Sequence, residues 1–160
     1  SHLAVTRDLI NFDFNQFSVE QLTTADLHGL FQLYSLATPQ KIRQGFGMTI
    51  DQWRDSQEPA QTHRNESILK SDGKIVGWWI CDPFGEANAG QIISHPNHPE
   101  STQYLIDISY QTQSWLVPDY QKTLMGLLKK QGLQELGRYT MLIKTASVLV
   151  KIPEFSYVEA

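Results

Sequence analysis

The chain has 160 residues, of which 41% are hydrophobic and 11% aromatic, a length and composition typical of one folded domain. It carries 13 basic and 17 acidic residues, a net charge of −4, and its longest basic run is the pair Lys129-Lys130, so a nucleic-acid partner is not expected. No stretch approaches the roughly 18 consecutive apolar residues of a membrane-spanning helix, so we expect no membrane association either.

The start of the chain and its single cysteine bear on processing and compartment. Residues 1–16 lack the charged-then-apolar order of a signal peptide and do not begin with Met, so we interpret them as an N-terminal extension, either a cloning remnant or a linker in a longer chain. Residues 17–160 are predicted to form one domain. Cys81 follows the apolar residues Trp78-Trp79-Ile80 and cannot form an internal disulfide, which is typical of a reducing compartment and predicts a cytoplasmic protein.

Two helices are predicted in the first third of the chain. Thr23 can cap a helix, and Asp26 then falls in the first turn, near the positive end of the helix dipole. Apolar residues follow at the spacing i, i+3, i+4 and i+7, which predicts one buried helical stripe ending before Pro39. The residues of this stripe are Leu27, Leu30, Phe31 and Tyr34. A second, shorter helix begins near Thr49 and ends by Pro59.

The strongest local signal in the chain is a β-hairpin. Two apolar runs flank Ser71-Asp72-Gly73, and an Asp-Gly pair in this position favours a tight turn between antiparallel strands. Trp78 and Trp79 are adjacent in the second strand, so we expect them on opposite faces of the sheet, with at least one in the core. The predicted strands cover residues 17–22, 67–70, 74–80, 90–94 and 114–117, together with one long β segment over 138–151.

Two more helices are predicted between the later strands. One runs from Ser101 to about Tyr110, and the other covers 122–131, with Gly132 placed to end it. Antiparallel strands followed by alternating strands and helices predict an α/β (α+β) fold. Its central sheet is mixed but mostly antiparallel, and helices flank both faces.

This order of elements resembles the GNAT superfamily of acyl-CoA-dependent N-acyltransferases, from about Phe17 to Val150. The stretch DGKIVG (72–77) is similar to the family's hairpin, IISHP (92–96) to the end of its fourth strand, and LLKKQGL (127–133) to the end of its last helix. The resemblance implies an acetyltransferase-like domain. Such a domain moves an acyl group from acetyl-CoA to an amine on a small molecule or a protein.

The resemblance also implies which residues hold acetyl-CoA. In the family, the pantetheine arm pairs with the backbone of the fourth strand, and the diphosphate rests on backbone amides of a glycine-containing loop before the next helix. Two of the loop's glycine positions match Glu100 and Thr102, so the cofactor loop is degenerate. The implied cofactor-binding residues are Ile92, Ile93, Ser94, His95, Ser101 and Thr102.

The family's catalytic positions are also altered in this sequence. The tyrosine that protonates the departing thiolate matches Leu128, and an asparagine near the start of the same helix matches Gln121. A glutamate base on the fourth strand matches the region of Gln91, which has no carboxylate. The resemblance therefore leaves Gln121 and its neighbour Tyr120 as candidate catalytic residues.

Two classes of function remain open. The first is an active N-acyltransferase. The second is a catalytically degenerate GNAT-like domain that acts in dimerisation, pairs with a tandem catalytic domain, or binds a small ligand. His95 and His98 are interpreted as solvated loop residues or as phosphate contacts. A shared metal would need a third ligand, for which only Glu100 is near, so we predict no metal site.

Overall fold

Runs of branched and aromatic residues form seven strands, and five further segments form α-helices, within the residues that the computed structural model describes: 16–57, 64–81, 89–109, 112–145 and 148–159. The strands are β1 (Phe17–Glu20), β2 (Asn65–Ser71), β3 (Lys74–Cys81), β4 (Gly90–Ser94), β5 (Ser114–Pro118), β6 (Gln134–Thr145) and β7 (Val148–Glu159). The helices are α1 (Leu27–Ala37), α2 (Gln40–Phe46), α3 (Ile50–Gln57), α4 (Glu100–Ile108) and α5 (Lys122–Lys130).

The strands form one mixed sheet in the order β1-β2-β3-β4-β5-β7-β6. All neighbouring strands are antiparallel except β4 and β5, which are parallel. The predicted fold class, a mostly antiparallel sheet flanked by helices, is confirmed. None of the helices in the described part of the chain is long and apolar enough to cross a membrane.

Each face of the sheet carries its own hydrophobic core. Trp78 is 1% exposed and packs with α1 and α3 on one face, whereas Trp79 packs at the edge of the core under α4 and α5 on the other. The prediction that the two tryptophans point to opposite faces is therefore confirmed.

The turn that leads into α1 and the β2–β3 turn form at the predicted positions. The Thr23 hydroxyl and backbone N–H both donate to the Asp26 carboxylate, at 2.9 and 3.0 Å, and cap a short 3₁₀ turn, Thr24–Asp26, that precedes α1. Asp72 and Gly73 both have positive φ, at 50° and 75°, the conformation that a two-residue hairpin turn requires.

The predicted long β segment over 138–151 is wrong as a single strand. The chain forms two paired strands instead, β6 and β7, with Thr145 opposite Val148. Ala146-Ser147 contains no glycine, proline, asparagine or aspartate, so no strong turn signal separated the two runs. The prediction also missed α2, a seven-residue helix with a single buried residue, Ile42. The first strand ends at Glu20, two residues earlier than predicted.

Candidate functional site

The parallel strands β4 and β5 separate soon after they meet. Gly90 and Trp115 are their only register pair, and the later residues of the two strands form no pair with each other. A side chain at residue 90 would bring a Cβ within 2.6 Å of Thr112 Cγ2 and 3.2 Å of the Trp115 ring, so glycine permits this close approach. The result is a gap that widens toward the carboxyl ends of both strands.

Alternation along β4 determines which backbone groups face this gap. The N–H of His95 donates to Val76 O on β3 at 2.8 Å. Ile93, two residues earlier, therefore also directs its backbone toward β3, whereas Ile92 and Ser94 direct theirs toward β5. Of the three β4 residues predicted to bind cofactor, Ile92 and Ser94 thus present backbone groups to the gap and Ile93 does not.

Gln121 crosses the gap from the start of α5. Its side-chain Nε2 donates to the carbonyl oxygen of Ile92 at 2.8 Å. The Oε1 of the same side chain is buried and has no hydrogen-bond partner among the described residues. A buried acceptor without a donor is costly, so this amide is suited to receive an N–H from a ligand in the gap.

A small cavity of about 110 Å³ lies where the gap meets α1, α2 and α3. Tyr120 and Tyr34 both line it, and burial raises the pKa of each phenol to about 12. Tyr120 also forms a hydrogen bond with Thr38, which partly opposes that shift. Both phenols are therefore protonated at neutral pH and can donate hydrogen bonds. None of the described residues that line the cavity is a carboxylate or a histidine.

Aromatic side chains form much of the cavity wall. The indoles of Trp53 and Trp78 meet edge to face, with ring centroids 6.1 Å apart, and Tyr34 stacks on Trp53 at 5.6 Å. The Trp53 Nε1 is buried without a partner among the described residues. Sequence analysis missed the contribution of Tyr34, Thr38 and Trp53, since helical periodicity indicates only that such residues are buried.

The segment after β4 uses nearly all of its own amides. Within residues 95–102, two positions are prolines and five N–H groups donate to acceptors in the chain, which leaves only the Glu100 amide without one. That amide belongs to a residue whose own carboxylate is negative. The five donors are His95, Asn97, His98, Ser101 and Thr102. This loop does not offer the set of free amides that a diphosphate requires.

Ser101 and Thr102, both predicted to bind cofactor, are buried and use their hydroxyls internally. Ser101 Oγ donates to His98 O at 2.6 Å and lies 3.2 Å from Val76 O. Thr102 Oγ1 donates to Ser94 Oγ at 2.8 Å. These contacts fix the start of α4 against the end of β4 instead of presenting hydroxyls to solvent.

His95 lies on the opposite face of β4 from Ser94. Its Nδ1 accepts from the Asn97 N–H at 3.1 Å, and its ring meets that of His98 edge to face at 5.1 Å. His98 Nδ1 is 3.4 Å from Glu100 Oε1. No group of three metal-ligating side chains is found in the described part of the chain.

Leu128 and Gln91, the other two positions that differ from the family's catalytic residues, lie in different surroundings. Leu128 is fully buried in the core under α4 and α5. Gln91 lines the cavity together with Gln121 and Tyr120. The predicted catalytic pair, Tyr120 and Gln121, is therefore brought together at one site, at the mouth of the gap.

Comparison with known proteins identifies the fold. Neither a protein-family model nor a curated protein matches the sequence. The structure is similar to an N-acetyltransferase from Staphylococcus aureus Mu50, at a TM-score of 0.57 and 13% identity, over 90% of this chain and 97% of that one. It is also similar to the ribosomal-protein-alanine N-acetyltransferase from Brucella melitensis (TM-score 0.55, 14% identity, 89% of this chain and 98% of that one).

A third similar structure is the ribosomal-protein-S18-alanine N-acetyltransferase from Escherichia coli, at a TM-score of 0.56 and 13% identity, over 89% of this chain and 91% of that one. These alignments span about nine tenths or more of each chain. The chain therefore has the fold of the GNAT N-acetyltransferases.

Proposed function

We propose that this protein is an acyl-CoA-dependent N-acyltransferase whose reaction takes place in the gap between β4 and β5. The observation that carries the proposal is the single register pair between these strands, beyond which the backbone of Ser94 forms no ladder pair with β5. The buried, unpartnered Oε1 of Gln121 at the same place supports a ligand that carries amide N–H groups, as a pantetheine arm does. The similar structures are N-acetyltransferases, which supports the same reaction class.

The thioester end of acyl-CoA fits the residues present. Its amides would pair with the backbone of Ser94 and with Gln121 Oε1, in the manner of an added strand. When bound, the thioester supplies the activated acyl group. Its diphosphate does not fit residues 95–102, because those amides are used internally.

Tyr120 would stabilise the departing sulfur. Its pKa of about 12 lies above that of an ordinary thiol, about 8.5, so the phenol donates a hydrogen bond more readily than it gives up its proton. Gln121, anchored on Ile92 O, holds the start of α5 in place beside Tyr120. The acceptor amine would enter through the aromatic cavity. Burial there disfavours a charged ammonium and so lowers the amine's pKa toward the reactive neutral form.

The proposal is tested by thiol release from acetyl-CoA in the presence of a panel of primary amines and N-terminal alanine peptides. We expect CoA release that depends on one amine class, together with heat on titration of acetyl-CoA. Neither heat nor thermal stabilisation at millimolar acetyl-CoA would contradict the proposal.

A second function is supported by a different observation. The loop after β4 lacks free amides, and Leu128 occupies the family's proton-donor position within the core. Both features fit a non-catalytic domain with this fold that pairs with a second copy or with a catalytic partner domain. Light scattering combined with acetyl-CoA titration distinguishes the two proposals, since this alternative predicts an assembly without acetyl-CoA affinity and the first predicts acetyl-CoA binding in any oligomeric state.

We propose a cytoplasmic location on the basis of the single cysteine, Cys81. Cys81 forms no disulfide, which is compatible with a reducing cytoplasm, the compartment that also supplies acyl-CoA.

A further inference from the structure

A second, larger cleft of about 850 Å³ lies on the α1 face of the sheet, next to the end of β4. It runs between α1 and the β2–β3 turn, and His95 forms part of its wall. Because His95 directly follows Ser94, the cleft reaches the end of β4. The polar residues that line it are Asp26, His28, Gln32, Ser35, Lys70, Lys74 and His95.

Lys74 is the uncompensated cation of this cleft. Lys70 is 2.9 Å from Asp26 and 3.4 Å from Glu20, so its charge is offset by neighbouring carboxylates. Lys74 is exposed and has no ion-pair partner among the described residues. An anionic group entering the cleft would therefore meet a free ammonium.

His95 adds a fixed hydrogen-bond donor. Its Nδ1 accepts from the Asn97 N–H, so in the neutral ring the proton lies on Nε2. An imidazole N–H and an ammonium on one wall are suited to phosphate oxygens. On α1, Gln32 and Ser35 offer further donors to the same cleft.

We propose that this cleft binds the phosphate groups of acyl-CoA, an inference that rests on the proposed function. The loop at 95–102 has one free amide, which belongs to Glu100, so a diphosphate there would lack donors and would meet a carboxylate. On the other face of β4, the cleft supplies Lys74, His95 and sufficient volume. The pantetheine arm would follow Ser94, and the phosphates would turn toward α1 instead of toward α4.

The test is calorimetric titration of the wild type and of Lys74→Glu with two probes, acetyl-CoA and S-acetylpantetheine, which lacks phosphates. Lys74→Glu should weaken acetyl-CoA binding by about 10-fold or more, because it replaces the ammonium that would contact a phosphate with a carboxylate that repels it. It should leave S-acetylpantetheine binding unchanged, because that probe has no phosphate. His95→Ala should act in the same direction. Lys129→Glu on α5, an equal change of charge at an exposed site away from the cleft, should alter neither affinity.

The outcomes separate this inference from the proposed function. If the wild type binds acetyl-CoA and Lys74→Glu binds it within twofold of the wild type, the phosphate site is elsewhere and only this inference fails. Equal wild-type affinity for the two probes would also overturn it. If the wild type binds neither probe, the proposed function fails and this inference fails with it. Far-UV circular dichroism of each variant establishes that the fold is intact.

Discussion

The side chain of Gln121 is hydrogen-bonded to the carbonyl of Ile92, at 2.8 Å, across the gap between β4 and β5. These strands share only one register pair, so the bond ties the start of α5 to β4 where ladder hydrogen bonds are missing. It does not involve the backbone of Ser94, two residues further along β4. Gln121 therefore spans the gap without closing the part of β4 that lies beyond Ile92.

Replacing Gln121 by Leu tests that link. The Ile92 carbonyl would lose its donor, which should lower the free energy of unfolding by about 1–3 kcal/mol and reduce kcat/KM for acetyl transfer by about 10-fold or more. Urea denaturation and steady-state kinetics measure the two effects. Gln131→Leu, at an exposed position after α5, is the control. An active variant of unchanged stability would show that the bond has no role.

Tyr120→Phe tests the proposed hydrogen bond to the departing sulfur. Removing the hydroxyl should lower kcat by about 100-fold while KM changes little, since the bond matters most as negative charge develops. Because the pKa of Tyr120 is about 12, ionisation of this phenol should not lower the wild-type rate at any pH up to 10. Tyr104→Phe, beside Phe17 on the other face, should keep the wild-type rate. A kcat within twofold of the wild type for Tyr120→Phe would contradict the assignment.

Leu128→Tyr tests whether the family's usual proton donor can be restored. Leu128 is fully buried, so the larger ring should overpack the core and cost about 1–3 kcal/mol of stability without raising activity. Leu127→Tyr, on the same helix but only partly buried, should cost less. Thermal and urea unfolding measure the difference. A stable and faster Leu128→Tyr enzyme would mean that this position reaches the reacting sulfur after all.

We predict that the lowered pKa of His95 makes the protein less stable in mild acid. Burial, followed by the nearby His98 and Lys74, lowers the pKa of His95 from its ordinary 6.5. Well above pH 6.5 both the folded and unfolded chains carry a neutral ring, so there is no effect. As the pH falls below 6.5, the unfolded chain binds the proton first and stability is lost.

The free energy of unfolding without ligand should therefore decline less between pH 7 and pH 5 in His95→Gln than in the wild type. His28→Gln, at an exposed position on α1, serves as the control. If the free energy of unfolding falls equally with pH in the wild type and in His95→Gln, the predicted contribution of His95 is refuted.

Much of the fold could be predicted because its signals are local. Asp72-Gly73 specifies its turn through positive φ, and the stripe from Leu27 to Tyr34 specifies the buried side of α1. The pairing of β6 with β7 was not recognised, since the sequence between Thr145 and Val148 contains no glycine, proline or asparagine. The short α2 was missed because only Ile42 is buried, which gives no periodicity to detect.

The site was only partly predictable, because its geometry depends on which strands separate. The family resemblance led to Gln121, and nearness to the start of the same helix led to Tyr120; both line the cavity beside the gap. The free backbone of Ser94 follows from alternation along β4, which no single residue type encodes. The internal use of the Ser101 and Thr102 hydroxyls depends on contacts with Val76, His98 and Ser94, of which only His98 is a close sequence neighbour.

The most direct test of acyl-CoA binding in the gap is amide hydrogen exchange along β4, measured by NMR with and without acetyl-CoA. The Ser94 N–H faces the gap in the free protein, so it should exchange quickly and become protected when acetyl-CoA is added. The Ile93 N–H, which faces β3, should change little. Unchanged Ser94 exchange at saturating acetyl-CoA would contradict binding between these strands.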